Sequence, residues 1–172
     1  MGIFDRLKQV IRSNNAIEKE EHMNKKNLFN LNICDIISVE EIDYEVEAIL
    51  EFNDHGFRWR EYKLKDALKT LWLSVEQDDE LEISLYEEIR IPCFEINRKI
   101  TYDGVEYFKD EDGEAIVEKV EGAIGVVRNE RVMYYEYCDR ADEKYLSVEV
   151  WQGETEVSLG REVKEYNIEI YG

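Results

Sequence analysis

The residues with the clearest chemical capacity are glutamates that recur at fixed places. Glu61-Tyr62, Leu73-Ser74-Val75-Glu76 and Ile83-Ser84-Leu85 return as Glu136-Tyr137, Leu146-Ser147-Val148-Glu149 and Val157-Ser158-Leu159, at offsets of 75, 73 and 74 residues. Trp59 precedes the first Glu-Tyr pair, and Tyr134 and Tyr135 precede the second. Carboxylates on adjacent strands can act as acid and base, or can hold a cation. A hydrolase usually has one such pair, in surroundings that push the two pKa values apart. Repetition in both halves instead favours framework: each Glu satisfied by backbone groups or by an Arg at a strand end. The duplicated set, read as structural, is Trp59, Glu61, Tyr62, Trp72, Glu76, Glu136, Tyr137, Glu149 and Trp151.

Other chemistry lacks its residues. Cys34, Cys93 and Cys138 are widely spaced, with no CxxC, and read as reduced thiols acting as small buried hydrophobes. His22 and His55 have no companion at metal-ligand spacing. Asp110-Glu111-Asp112-Gly113 fails as a calcium loop, because Phe108 and Lys119 fall where loop positions 1 and 12 need ligands. No Gly-x-Ser-x-Gly, phosphate loop or dinucleotide fingerprint occurs. The expectation is no catalytic residue, no metal and no cofactor. Trp59, Trp72, Trp151 and the Tyr134-Tyr135 pair read as core aromatics, with a binding surface as the alternative.

The formal net charge of -19 excludes direct binding to nucleic-acid phosphates, since the chain offers no counterion release. It fits a self-repelling acidic surface, with an acidic decoy for a basic partner as a sharper alternative. No secretory signal and no membrane-spanning run is visible. A cytoplasmic location is expected.

Positioning these residues falls to strands. From Asn32 onward the pattern is period two or short apolar runs, punctuated by turns about every ten residues, which marks an all-β sandwich or barrel. Predicted strands include 44–52, 57–64, 71–76, 81–87, 99–102, 105–109, 115–121, 123–127, 132–138, 145–151, 154–159 and 165–171. Asp103-Gly104 is a type I′ hairpin signal. Asn53-Asp54-His55-Gly56 and Asp110–Gly113 read as further turns, and Lys65–Lys69 as one helical turn. The repeat predicts a mainly β fold: two similar antiparallel modules, of sandwich or small-barrel type, spanning 29–93 and 94–172 in a pseudo-duplicated body.

The N-terminus differs. Residues 1–26 hold six Lys/Arg against four Asp/Glu, while 27–172 hold 16 against 37. On a helical wheel Ile3, Phe4, Leu7, Val10 and Ile11 share one face, with Arg6, Lys8 and Arg12 on the polar side. This predicts a short amphipathic helix over 1–12 and a polar linker over 13–28. Such a helix either docks on its own body or lies on an anionic membrane or a partner, more firmly in a homo-oligomer.

Trp59-Arg60-Glu61-Tyr62, Leu71-Trp72-Leu73-Ser74-Val75-Glu76, Tyr135-Glu136-Tyr137 and Leu146-Ser147-Val148-Glu149 with Trp151 resemble the bacterial domain-of-unknown-function family 4178, from about Leu31 to Tyr171. The resemblance implies no known activity and no catalytic residue; it suggests neighbours of cell-envelope and phage-shock type. Met1-Gly2-Ile3-Phe4 opening an amphipathic segment is similar to the membrane helix of phage shock protein A relatives, over about a dozen residues. The expected function is a non-enzymatic binding or adaptor protein, peripheral to the membrane through its N-terminal helix and linked to envelope stress. Its partners would be a protein and an anionic membrane surface. A carboxylate-based enzyme or cation-binding β domain is the rival.

Overall fold

The computed structural model describes residues 26–91 and 94–171. Eleven strands form one antiparallel sheet. They are β1 (Ile36–Val39), β2 (Ile42–Asp54), β3 (Phe57–Lys65), β4 (Thr70–Gln77), β5 (Leu81–Ile89), β6 (Lys99–Tyr102), β7 (Val105–Glu121), β8 (Arg131–Cys138), β9 (Tyr145–Val150), β10 (Thr155–Glu162) and β11 (Ile168–Tyr171). The sheet closes on itself. In the order β2-β3-β4-β5-β10-β9-β8-β7 every neighbour pairs, and β7 pairs back onto β2, so eight strands form a closed barrel. Strands β1 and β11 extend the sheet beside β2, and β6 extends it beside β7. The segments 29–93 and 94–172 thus supply four staves each to one barrel.

Strand alternation sends opposite chemistry to the two faces. On β4, Leu71, Leu73 and Val75 are buried in an apolar cluster, whereas Trp72, Ser74 and Glu76 point into the barrel. On β9, Leu146 and Val148 join a second cluster, whereas Ser147 and Glu149 point inward. The apolar faces lie on the outside of the barrel and need cover. Leu28, Leu31, Ile37, Val39 and Tyr44, with Ile168 and Ile170, cover β3–β5. Ile100 and Tyr107, with Ile89, Ile91 and Phe94, cover β8–β10. A third cluster of Leu50, Phe52, Ala115, Val117, Val132 and Tyr134 fills one part of the barrel interior.

The long strands β2 and β7 serve two cores because bulges change their facing. β2 slips register between Val46 and Ala48 against β3: Tyr44 and Val46 pack outside, Leu50 and Phe52 inside. β7 slips between Lys109 and Glu111: Tyr107 packs outside, Ala115 and Val117 inside.

Several expectations need correction. Asp110–Gly113 is not a turn; it runs inside β7, with Asp110 at a register slip and Glu111–Gly113 paired with Tyr134–Glu136 of β8. Gly113 is there for space, since a Cβ would come within 2.5 Å of the Tyr134 hydroxyl. Residues 123–127 form a loop rather than a strand. Lys65–Lys69 is no helical turn, because the Asp66 carboxylate accepts the Leu68 and Lys69 amides and holds an open bend. Glu165–Asn167 is a 3₁₀ turn ahead of β11. Cys34 is exposed, at φ 69° just before β1, and is no buried hydrophobe. Leu28, placed in the linker from sequence, is buried, and its carbonyl accepts the Tyr62 hydroxyl at 2.6 Å. The hairpins at Asp103-Gly104 and His55-Gly56 form as expected, all four residues at positive φ. The N-terminal helix and most of its linker, with Pro92 and Cys93, lie outside the described residues.

The barrel seam depends on Gly122, which follows β7 at φ +91°, where an added Cβ would sit 2.4 Å from the Glu47 carbonyl oxygen. Replacing it with Ala should cost about 2–4 kcal/mol, from left-handed strain plus a clash with fixed backbone. Urea unfolding of Gly122→Ala measures this; an unchanged midpoint would contradict a tight seam.

Candidate functional site

The interior holds a cavity of about 170 Å³ whose lining includes Glu61, Glu76, Glu111, Glu136, Glu149 and Glu156. Ser74, Ser147, Ser158 and Tyr86 add hydroxyls, and Trp59, Trp72, Trp151 and Tyr134 add aromatic rings. Leu50, Ile124 and Val126 complete an apolar side. Among the described residues, no Lys, Arg or His lines this cavity.

Pairing register places these groups. Glu61 on β3 sits opposite Ser74 on β4, and Trp59 opposite Glu76. Glu136 on β8 sits opposite Ser147 on β9, and Tyr134 opposite Glu149. Glu82 of β5 pairs with Glu76, and Glu156 of β10 pairs with Glu149. In an eight-membered ring, β3 lies four staves from β9 and β4 four staves from β8. The Glu61–Glu76 wall therefore faces the Glu136–Glu149 wall across the lumen.

The acids have few protein partners. Trp59 Nε1–H donates to Glu61 at 3.0 Å, Trp151 Nε1–H to Glu149 at 3.0 Å, and Ser147 Oγ–H to Glu136 at 2.6 Å. The expectation that backbone groups or an Arg at a strand end satisfy these glutamates is thereby corrected. Each of the three has a second oxygen without a donor among the described residues. The Trp side chains stand in an aromatic cluster: Phe52 stacks on Trp59 at 5.0 Å, Tyr134 meets Trp59 edge-on at 5.5 Å, and Trp151 lies 6.2 Å from Phe52. Tyr134 donates its hydroxyl to Asp54 at 2.7 Å, which fixes the ring at the barrel rim.

Burial without counter-charge disfavours ionisation. Burial pushes the Glu61 carboxyl up to about 7; the Trp59 bond opposes this, and Glu136, Glu156 and Glu76 add to it. Burial and then Glu82 raise Glu76 to about 7. Burial raises Glu136 to about 8, against the Ser147 bond and with Glu149, Glu76 and Glu111 assisting. Glu149 is raised well above the ordinary range by burial, then by Glu61 and Glu156. These side chains retain some accessible area although protein surrounds them. That area faces the cavity, so the neighbourhood rather than the area describes their electrostatics.

Of the residues singled out from sequence, Trp59, Glu61, Trp72, Glu76, Glu136, Glu149 and Trp151 meet at this cavity. Tyr62 and Tyr137 do not; they are buried on the opposite face, where Tyr137 donates to the Asn97 carbonyl at 2.9 Å. Ile3, Phe4, Arg6, Leu7, Lys8, Val10, Ile11 and Arg12 lie outside the described residues. Sequence reasoning missed Tyr86, Ser158 and Glu156. The alternation of Leu-Ser-Val-Glu carried a signal for Ser74 and Ser147, but a polar face reads as a solvent face until the sheet is known to close.

The raised carboxyls set the pH dependence of stability. Their pKa values exceed the unfolded value of about 4.3, so between about pH 4.5 and 8 the unfolded chain ionises first and stability falls as pH rises. Acids held low by partners, such as Asp35 and Glu40, lose stability only below that window. Calorimetry from about pH 5 to 8 should show a falling melting temperature, shallower in Glu136→Gln. A flat wild-type profile would contradict acids held at the cavity without a counter-charge.

Among the described residues, no helix is long and apolar enough to cross a membrane. In comparison with known proteins, the family described as a domain of unknown function (DUF4178) matches residues 33–165. No curated protein and no solved structure matches. The match begins after the first dozen residues, so their likeness to phage shock protein A relatives is not borne out.

Proposed function

The chain belongs to the DUF4178 family, and we propose that it is a non-enzymatic binding protein whose barrel interior receives a small organic cation. The observation that carries this reading is the set of four glutamates around one cavity whose lining, among the described residues, has no cationic side chain. Buried like charges stay protonated or need a counter-cation. A ligand ammonium supplies one, and the faces of Trp59, Trp72 and Trp151 suit it by cation–π attraction.

Two details favour an organic cation over the rival chemistries. Among the described residues no three His, Cys, Asp or Glu side chains gather as a metal-binding group. An acid–base pair needs pKa values pushed apart, whereas Glu61, Glu76, Glu136 and Glu149 are all pushed the same way. On the exterior, acids are interspersed with bases, as in Arg58–Glu118, Arg60–Glu51 and Lys65–Glu47. That mixing suits internal binding better than a decoy's continuous acidic face. The matching register of β3–β5 and β8–β10 supports two related four-strand units facing one lumen. A peripheral-membrane adaptor role rests on the amphipathic segment of residues 3–12 alone.

The three tryptophans of the chain all line the cavity, so their fluorescence reports its occupancy. Titration with n-butylammonium and tetramethylammonium at about pH 8.5, above the values of Glu61, Glu76 and Glu136, should give a saturable change. Glu61→Gln should weaken it by about 5- to 50-fold, the worth of a buried charge contact. No saturable change with either cation overturns the reading. For the membrane element, full-length protein should co-sediment with anionic liposomes and a chain beginning at Asn27 should not. Equal, negligible pelleting of both removes that element.

A further inference from the structure

We infer that the ligand of this barrel is a linear organic dication, an alkyl chain with an ammonium at each end that bridges two opposing carboxylate walls. This rests on the organic-cation reading above and adds ligand valence and shape. Three independent features support it.

The first is the placement of charge. Glu61 and Glu76 stand on β3 and β4, while Glu149 and Glu136 stand on β9 and β8, four staves away in each case. Glu61 bears on Glu136, and Glu149 on Glu61, across the lumen, so the four carboxyls share one space and one positive charge does not offset them. A chain with two ammonium ends places one at each wall.

The second is the state of the acid oxygens. Glu61, Glu136 and Glu149 each receive one hydrogen bond, from Trp59, Ser147 and Trp151, and keep an oxygen with no donor among the described residues. These carboxyls are deep in the protein and line the void. An ammonium carries three donors and no acceptor, which matches a lining that offers acceptors and lacks cations.

The third is the apolar part of the same lining. Trp59, Trp72, Trp151, Leu50, Ile124 and Val126 give that space apolar and aromatic surface. Methylene groups fit such a wall, and a hydrated inorganic dication does not. The ring of Tyr86 is seated on Gly160, where a Cβ would fall 2.3 Å from its Cε1 atom; this seat keeps the bulky ring at the side of the lumen.

Isothermal titration of the full chain with 1,4-diaminobutane and with n-butylamine, both protonated at about pH 7.5, tests the idea. The diammonium should bind about 10- to 100-fold tighter, the worth of a second buried charge contact. Repeating the titrations in buffers of different ionisation enthalpy counts released protons, and the diammonium should release more than the monoammonium. This arm needs no variant. Glu61→Gln combined with Glu136→Gln, nearly isosteric changes, should bring the two affinities within about threefold. Equal affinity and equal proton release in wild type overturn the dication while leaving an organic-cation site. Absence of binding by either amine overturns both readings. Tighter binding of calcium or magnesium ions than of 1,4-diaminobutane, with competition between them, overturns the alkyl bridge in favour of a metal.

Discussion

The carboxyl groups inside the barrel are the constraint on which the remaining architecture depends. An eight-stranded barrel ordinarily fills its lumen with its own apolar side chains. Here alternation turns Glu61, Glu76, Glu136 and Glu149 inward and Tyr62, Leu73, Tyr137 and Leu146 outward. The hydrophobic driving force then has to be met outside the staves. The segment around Leu28 and Leu31 with β1 and β11 does this on one side, and β6 with Ile89, Ile91 and Phe94 on the other. The extra strands are thus a consequence of the polar lumen.

A lumen of this kind couples chemistry to stability. The inward glutamates do little for folding; they stay protonated or lie against one another in a space with few donors. Any cation that enters stabilises the folded barrel by mass action, since the unfolded chain has no equivalent site. The feature that weakens the barrel is the one the proposed cation would bind. A framework role would predict carboxylates already satisfied by backbone or Arg, which is the arrangement of surface acids such as Glu40 with Arg161 and Asp66 with its loop amides.

The site also requires both halves of the chain. β2–β5 and β7–β10 each form a four-strand meander, and each carries one carboxylate wall. Neither encloses a cavity until β5 meets β10 and β2 meets β7. The bulges in β2 and β7 let each long strand finish its outer core and then enter the seam. Gly122 and Gly113 lie where those strands approach other groups too closely for a side chain. Local backbone detail at the seam therefore decides whether the acids face each other or face water.

Much of this fold is legible in the sequence. Period-two alternation gives β3, β4, β8 and β9 to within a residue at each end, and β5 and β10 two or three residues short at their C-terminal ends, and Asp103-Gly104 fixes its hairpin, because side-chain period and turn chemistry are local properties. The duplicated Glu-Tyr and Leu-Ser-Val-Glu are visible as a pattern with one polar and one apolar face. Three things are not local. The strand through Asp110–Gly113 continues because β8 pairs with it and Tyr134 needs the space at Gly113, so a turn-like composition is overridden by tertiary contact. The apolar face turns outward because distant segments around Leu28 and Phe94 cover it. The glutamates meet because β7 pairs with β2, a contact between residues about 70 apart that no window of sequence contains. Sequence by itself determined which residues share a face; closure of the sheet decided that the acidic face is an interior. The reason is that alternation assigns sides, and only long-range strand pairing assigns inside and outside.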